Sequence, residues 1–357
     1  MNNIAQGQCS EPTAEEQWRQ FGELTCQKDY VDSLRGRNLD VYLLGERIDE
    51  PVDHPIVRPS INAMAASYQL AEDEPDLATA WSSITERRIN RFLHIPESPQ
   101  DLVQKNKMQR RMGQLTGTCF QRCAGLDTLS VLFSITFDID KKHGTAYHER
   151  YLAFLKKAQA RNLIVGAGMT DPKGDRSKRP SDQSDPDLFM HVTRRTDKGL
   201  YVKGAKAHMT GGLNSHWICV MPTMNMLESD KDYAVIGMIP ATAPGLTYIY
   251  GRQSCDTRAL EVGDIDKGNA QYGGQETLVI FDDVFIPWAH VLMDGEYEFA
   301  QELVSRFTAY HRASYVCKTG LGDVMIGAAS SVAEMNGAET ASHVRDKLVE
   351  RIVTVGL

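Results

Sequence analysis

Two segments far apart in the chain hold most of the side chains that can bind a metal or transfer a proton. Residues 311–320 read HRASYVCKTG, which places His311, Tyr315, Cys317 and Lys318 within eight residues. Apolar residues in the preceding segment, 296–315, recur at spacings of three and four, and this predicts a helix. The reactive side chains are therefore expected at one helix end. Ordinary helix packing is the plain alternative, because cysteine is readily buried as a small hydrophobe.

The second segment is CFQRC, which contains Cys119 and Cys123. It lies in a mostly apolar run, residues 116–140, that predicts a buried helix. On a helix, residues four apart lie about 40° apart around the axis, so both thiols would face one side. The pair could supply two corners of a metal site. Two cysteines buried in a core helix would give the same pattern.

A long polar loop follows a short apolar strand that begins near residue 163. Its TDPKGDRS motif, residues 170–177, combines hydroxyls, a glycine and Arg176. These groups suit a phosphate or pyrophosphate. A solvated surface loop is an equally good interpretation, since the motif matches neither the P-loop nor the GxGxxG pattern.

The composition indicates a soluble globular protein. The chain has 357 residues, of which 42% are hydrophobic and 24% charged, enough for two or three cores. A net charge of −8 argues against a nucleic-acid partner, and no apolar run is long enough to predict a membrane span. The N-terminus lacks signal-peptide features, so a cytoplasmic location with reduced cysteines is expected. No role is predicted for Cys9, Cys26, Cys219 and Cys255.

The pattern of elements predicts an α+β fold. Residues 1–32 are polar and predict a loose N-terminal extension with one short helix. Residues 33–162 predict a helical domain that begins with a small hairpin at 41–51. Residues 163–295 predict a central antiparallel β-domain, because short apolar runs alternate with turn residues. The runs lie at 199–211, 217–224, 233–241, 246–252 and 276–293. Residues 296–357 predict the beginning of a C-terminal helical domain.

The order of helices, β-domain and helices is that of the acyl-CoA dehydrogenase architecture. Four segments resemble the 4-hydroxyphenylacetate 3-hydroxylase superfamily: TDPKGDRSKRPSDQSDPDLFMHV, VKGAKAHMTGGLNSH, ETLVIFDDVFIPW and YHRASYVCKTGLGDVMIGAA. Within that superfamily, CFQRCAGLD and residues 311–317 resemble the 4-hydroxybutyryl-CoA dehydratase branch. Members of this branch continue through a further helical bundle, so this chain is expected to be a fragment or a truncated relative.

The resemblance implies a reaction, cofactors and partners. The reaction is dehydration of 4-hydroxybutyryl-CoA to crotonyl-CoA, with vinylacetyl-CoA Δ-isomerisation. It would proceed through a ketyl radical, with FAD as the one-electron partner and a [4Fe–4S] cluster as the Lewis acid. A homotetramer is implied for the full-length family. Two alternatives remain, a two-component, reduced-flavin-dependent aromatic monooxygenase and an inactive truncated relative.

The resemblance also implies roles for individual residues. The cluster ligands would be Cys119, Cys123, His311 and Cys317. The catalytic residues would be His311, Tyr315 and Glu276. Contacts with the CoA substrate would come from His208, Met209 and Lys318. Contacts with FAD would come from Met169, Thr170, Asp171, Pro172, Lys173, Gly174, Asp175, Arg176 and Thr210.

The spacing of His311 and Cys317 places a condition on the backbone between them. On a regular helix, residues six apart lie about 120° apart around the axis. The two side chains can therefore share a cluster only if the helix ends or bulges between them.

Overall fold

The computed structural model describes residues 11–251 and 270–356. Cys9, Cys255 and the last residue of the strand predicted at 246–252 lie outside the described residues. No helix in the described ranges is long and apolar enough to cross a membrane. The α-helices in this part of the chain are α1 (Ala14–Arg19), α2 (Gln27–Ser33), α3 (Arg58–Asp73), α4 (Pro75–Ala78), α5 (Pro99–Thr116), α6 (Cys123–His143), α7 (Tyr147–Arg161), α8 (Ala300–Ser314), α9 (Val316–Met335) and α10 (Ser342–Gly356).

The strands form two main sheets and a separate hairpin. The six-stranded sheet has the order β2 (Glu46–Arg47), β1 (Asp40–Leu43), β10 (Leu246–Tyr250), β11 (Glu276–Pro287), β7 (Gly199–Thr210), β6 (His191–Arg195). The four-stranded sheet has the order β12 (Val291–Asp294), β9 (Val235–Pro240), β8 (Trp217–Val220), β5 (Val165–Gly168). The hairpin is β3 (Thr79–Ser82) with β4 (Arg87–Asn90).

Most strand pairs are antiparallel, as the sequence predicts, but two are parallel. Strand β1 runs parallel to β10, with Asp40 opposite Thr247, and β5 runs parallel to β8, with Val165 opposite Trp217. The hairpin predicted at 41–51 is present as β1 and β2, with Gly45 at a φ of +91° in its turn. Because β1 joins the central sheet, that sheet includes residues from the segment assigned to the helical domain. The domain boundaries therefore remain predictions.

The described part of the N-terminal segment is packed and not loose, which corrects the prediction for residues 1–32. Trp18 is buried, and its ring centroid lies 4.6 Å from that of Trp217. Tyr30 is fully buried and stacks on Tyr68 at 5.2 Å. A few large aromatic side chains attach this polar segment to the core, because each buries a large apolar area.

Two helix predictions were wrong in their extent. The hairpin β3–β4 interrupts the helical domain predicted for residues 33–162. The helix predicted over 116–140 begins only at Cys123, because Gly117 adopts a left-handed conformation (φ +59°) and caps α5. Cys119 therefore lies in a connecting loop, and the two cysteines do not share a helix face.

Three glycines allow the backbones of neighbouring elements to approach closely. A Cβ atom at Gly125 of α6 would overlap the carbonyl oxygen of Val165 in β5. A Cβ at Gly113 of α5 would overlap the carbonyl oxygen of Cys317 in α9, and one at Gly320 would overlap that of Arg110. These contacts fix the spacing of α6 from β5 and of α5 from α9.

We expect Gly125→Ala to destabilise the fold, because the added methyl group meets backbone atoms that cannot rotate away. Overpacking of this kind costs about 1–3 kcal/mol. The matched control is Gly327→Ala in α9, where a Cβ has no neighbour within 4 Å. The control is expected to be neutral or stabilising by up to about 1 kcal/mol, since alanine favours helices. Urea denaturation midpoints with equal slopes measure both effects. Equal midpoints for the two variants would contradict the close approach.

Candidate active site

Most of the side chains singled out in the sequence line one cavity of about 520 Å³. The cavity lies where β5, β7 and β11 meet the loop before α6 and the junction of α8 and α9. The predicted site residues in its wall are Cys119, Cys123, Met169, Thr170, His208, Thr210, Glu276, His311, Tyr315, Cys317 and Lys318. The rest of the wall comprises Thr118, Ala124, Ala167, Phe307, Ser314 and Leu321.

The loop that carries Cys119 is held by the side chain of Gln121. Gln121 is buried and has a left-handed backbone, with a φ of +67°. Its Nε2 donates to the carbonyl oxygens of Ser60 at 3.1 Å, Gly273 at 3.0 Å and Cys119 at 3.3 Å. The left-handed residue turns the chain into α6, whose first residue is Cys123. Both thiols therefore face the cavity although only one is helical.

The helix ends between His311 and Cys317, as their spacing requires. Helix α8 ends at Ser314, α9 begins at Val316, and Tyr315 caps both. Helix α8 packs against α6, whereas α9 packs against α5. Because α8 and α9 pack against different helices, His311 and Cys317 both reach the same cavity. On one continuous helix the two side chains would lie about 120° apart.

A β-bulge directs His208 into the cavity. In β7, Lys206 pairs with Val279 and Met209 with Thr277, so β7 has one extra residue between these pairs. His208 takes a φ of +51°, an unusual conformation for a residue with a side chain. Because of the extra residue, Lys206 faces the core while His208 is exposed to the cavity.

The predicted flavin loop contributes its first residues to the cavity, and Asp171 anchors it. The Asp171 carboxylate is buried 2.7 Å from the Lys206 ammonium and accepts from Thr223 Oγ1 at 3.0 Å. The carboxylate of Asp171 therefore anchors the loop and is not part of the cavity wall. Residues 172–176 are exposed at the surface beyond the cavity wall. Met209, predicted to contact the substrate, is fully buried and is not part of that wall.

Burial disfavours the charged form of all three thiols. It raises the pKa of Cys119 to about 11, and nearby Cys317 and Glu276 add to this effect. The Cys119 side chain is exposed and lines the cavity. Burial raises the pKa of Cys123 well above its ordinary value and that of Cys317 to a lesser degree. The thiols are therefore neutral at pH 7, and a cationic group would be needed to stabilise the thiolates.

Glu276 lines the cavity from the start of β11, directly opposite Thr210 of β7. Burial raises the pKa of its carboxyl group, and the hydrogen bond that Thr210 Oγ1 donates at 2.7 Å partly opposes the rise. A carboxyl group with a raised pKa retains its proton more readily near neutral pH. Such a group suits proton transfer to or from a bound substrate.

The side chains at the α8–α9 junction pack against one another. The His311 ring stacks on Phe307 and meets the edge of Tyr315, each with centroids 5.2 Å apart. The Lys318 ammonium lies 4.4 Å from the centre of the Tyr315 ring. The site therefore presents an imidazole, a phenol and an ammonium side by side.

Sequence reasoning missed Asp127, which is fully buried behind His311. Its Oδ2 atom lies 3.0 Å from His311 Nδ1, and its Oδ1 atom lies 2.9 Å from the Lys105 ammonium. The available signal was its position in α6, four residues after Cys123, which places both side chains on one face of that helix.

The donor types at this cavity are those that hold iron–sulfur clusters in other proteins. Within residues 11–251 and 270–356, no three His, Cys, Asp or Glu side chains converge closely enough to hold one ion. In a [4Fe–4S] cluster each ligand binds a different iron, so the ligands surround a larger volume. Cys119, Cys123, His311 and Cys317 line a cavity of about 520 Å³, and thiolates are the usual cluster ligands.

Family models match nearly the whole chain. The 4-hydroxyphenylacetate 3-hydroxylase N-terminal model matches residues 26–293, and the C-terminal model of the same family matches residues 300–356. The chain therefore belongs to the 4-hydroxyphenylacetate 3-hydroxylase family.

Individual relatives confirm the resemblance to the dehydratase branch. The chain is 53% identical over 327 residues to 4-hydroxybutyryl-CoA dehydratase/vinylacetyl-CoA-Δ-isomerase of Clostridium aminobutyricum, covering 90% of this chain and 67% of the relative. An oxygen-tolerant archaeal 4-hydroxybutyryl-CoA dehydratase from N. maritimus has a TM-score of 0.91 and 62% identity, covering 93% of this chain and 66% of that one.

A more distant solved structure shares the fold. The oxygenase component of 4-hydroxyphenylacetate 3-monooxygenase, complexed with FAD, has a TM-score of 0.78 and 23% identity. The match covers 93% of this chain and 69% of that one. The chain thus spans about two thirds of the length of these relatives.

The pKa of Cys119 predicts a specific pH dependence of its alkylation in the metal-free protein. Thiolate is the reactive form, so with a pKa of about 11 the rate should rise about ninetyfold between pH 8 and pH 10. A free cysteine thiol, with a pKa of about 8.5, would gain only about fourfold. Quantitative mass spectrometry of iodoacetamide-labelled peptides measures both rates in one mixture. A Cys119 profile that levels off near pH 9 would contradict the burial effect.

Proposed function

We propose that this chain catalyses the dehydration of 4-hydroxybutyryl-CoA to crotonyl-CoA and the Δ-isomerisation of vinylacetyl-CoA. The observation that carries the proposal is that Cys119, Cys123, Cys317 and His311 line one cavity together with Glu276. A flavin hydroxylase of the same fold has no chemical need for three thiols at this place. The similarity to the two dehydratases supports the same reaction.

The proposal includes FAD and a [4Fe–4S] cluster as resident cofactors. Cys119, Cys123, Cys317 and His311 would hold the cluster, and Met169, Thr170 and Thr210 would face the flavin ring. When bound, FAD would supply one-electron oxidation and reduction of the substrate, and the cluster would act as a Lewis acid toward its hydroxyl group. The FAD complex of the oxygenase with the same fold supports the flavin assignment.

Side chains of the protein would accept and donate the protons of the reaction. A thioester acidifies C2 of the acyl chain but not C3, so the first proton is removed at C2. His311 Nε2 would accept this proton once it is released from iron, because its lone pair is then free to act as a general base. Glu276, whose carboxyl pKa is raised by burial, would exchange the C3 proton or hold the leaving hydroxyl together with Tyr315.

Two cationic or polar side chains would bind the CoA thioester. The Lys318 ammonium lines the cavity beside Tyr315 and would donate to the thioester oxygen. A charge placed there stabilises the negative charge that develops when C2 loses its proton. His208, which the bulge in β7 turns into the cavity, would contact the same substrate.

The proposed assembly is the family's homotetramer with an acyl-CoA dehydrogenase-like domain order.

An aromatic monooxygenase that uses reduced flavin is the second candidate, favoured by 25% identity to the oxygenase component of 4-hydroxyphenylacetate 3-monooxygenase from Thermus thermophilus. The two candidates differ in cofactor content. A chain that binds neither cofactor would be an inactive relative.

Anaerobic reconstitution tests the cofactor assignment. We expect about four irons and four sulfides per chain, with bound FAD, for the unaltered chain. Cys119→Ala should lose most of this iron because one thiolate ligand is gone. Cys219→Ala is the control, since Cys219 is buried in β8 and is not part of the cavity wall. Full iron occupancy in the Cys119 variant would refute the cluster assignment. Reduced-flavin-dependent oxygen consumption with a phenol, without iron, would support the monooxygenase.

Glu276→Gln tests the proton-transfer role. We expect the turnover number for 4-hydroxybutyryl-CoA to fall by about 10²–10⁴, the usual contribution of a general acid–base group. Iron and FAD content should stay unchanged, because Glu276 is not a proposed ligand. Glu302→Gln, at an exposed carboxylate of α8, is the matched control and should retain full turnover. Anaerobic chromatography of the CoA esters measures the rates. Unchanged turnover in Glu276→Gln would exclude this role.

A further inference from the structure

Asp127 lies on α6 and accepts hydrogen bonds from side chains of two other helices, α5 and α8. Its Oδ1 accepts from the Lys105 ammonium of α5 and from Ser314 Oγ of α8, both at 2.9 Å. Its Oδ2 lies 3.0 Å from Nδ1 of His311, also on α8. Asp127 is fully buried and Lys105 is 2% exposed, so the carboxylate is shielded from water and its charge is matched by one ammonium.

The partners of Asp127 are themselves held in place. Lys105 Nζ also contacts the carbonyl oxygen of Tyr310 at 3.4 Å, and Gln109 Nε2 donates to Ser314 Oγ at 3.2 Å. A buried ion pair with this many hydrogen bonds has little freedom to rearrange, because breaking any bond leaves a polar group unpaired in the core. The position of Oδ2 is therefore fixed relative to α8.

This arrangement determines which nitrogen of His311 carries the proton. The Asp127 carboxylate can only accept, so Nδ1 must donate to it and the neutral ring must carry its lone pair on Nε2. Within the described residues, Nε2 of His311 has no hydrogen-bond partner, and the ring lines the cavity. The stacked Phe307 ring restricts rotation of the imidazole. The imidazole ring therefore keeps the lone pair of Nε2 directed into the cavity.

We propose that Asp127, neutralised by Lys105, is a positioning residue that fixes the tautomer and orientation of His311 so that Nε2 faces the cavity as a ligand. The identity of the group that Nε2 meets, the proposed cluster, rests on the proposed function. The tautomer itself does not. Residues that hydrogen-bond the far nitrogen of a ligating histidine typically contribute 10- to 100-fold to metal affinity.

The test replaces Asp127 together with Lys105, because removing the carboxylate alone leaves the Lys105 charge unpaired in the core. The double variant Asp127→Leu/Lys105→Met removes both charges and the hydrogen-bond acceptors of the carboxylate, and leucine has a branched shape similar to that of aspartate. The control is Asp230→Asn, at another fully buried aspartate, which pairs with Arg179 away from the cavity. Circular dichroism and thermal melts confirm that each variant folds.

The first measurement needs neither iron nor flavin. Nitrogen-15 spectra of the histidine-labelled apoprotein distinguish a protonated ring nitrogen from one with a lone pair, and His311→Gln identifies the His311 signals. We expect protonated Nδ1 and unprotonated Nε2 in the unaltered chain and in Asp230→Asn. The double variant should show a mixture of both tautomers. An unaltered chain that carries the proton on Nε2, or a double variant that keeps the original tautomer, would overturn the proposal.

The second measurement follows the iron bound by His311 after reconstitution. In the double variant, a chelator should remove this iron at least about tenfold faster than from the unaltered chain. The released Fe²⁺ is measured as its coloured complex with the chelator, while FAD content stays constant. Equal release rates in the double variant and the unaltered chain would contradict the positioning role. If the unaltered chain assembles no cluster, the proposed function fails, and the tautomer measurement still decides the inference.

Discussion

The buried carboxylate of Asp127 is the interaction on which the candidate site depends. It connects α6, its own helix, to Lys105 of α5 and to His311 and Ser314 of α8. A buried ion pair is seldom more stable than well-packed apolar residues, but losing one partner leaves the other charge unpaired in the core. In this protein the pair and its hydrogen bonds join three helices beside the cavity. The polar network therefore contributes to the geometry of the site.

Glycine contacts provide the second constraint, at the level of the backbone. Gly125 allows α6 to approach β5, and Gly113 allows α5 to approach Cys317 on α9. The charged pair of Arg110 with Asp323, with two contacts of 2.8 Å, holds the same two helices beside this crossing. Segments that are distant in sequence therefore place their thiols in one cavity, and close backbone contacts hold these segments together.

Sequence reasoning succeeded where the signal was local or chemical, and it failed where the backbone turned unexpectedly. Helical periodicity located α8, and the spacing of His311 and Cys317 required the break that the structure has at Tyr315. The start of α6 was missed, because it depends on the left-handed conformation of Gln121, which tertiary hydrogen bonds stabilise. Asp127 was missed as well, since its partners come from helices far away in sequence.

The two parallel strand pairs and the bulge in β7 show the same limit. Alternating apolar residues predict strands but not their neighbours, and β1 pairs with β10 across most of the chain. The extra residue beside His208 reverses the alternation within one strand, so the sequence pattern alone places Lys206 and His208 on the same side. Pairing and register depend on contacts that a linear pattern does not contain.

The raised pKa values of Cys119, Cys123 and Cys317 have a thermodynamic consequence for metal loading. Three neutral thiols would each release a proton on becoming ligands of the proposed cluster, so assembly would be coupled to proton release. At pH values below these pKa values, the apparent affinity would change by up to about a thousandfold for each pH unit. Acidification would therefore oppose assembly of the proposed cluster even if every contact in the fold were retained. Binding of iron would in turn displace the protons of the three thiols.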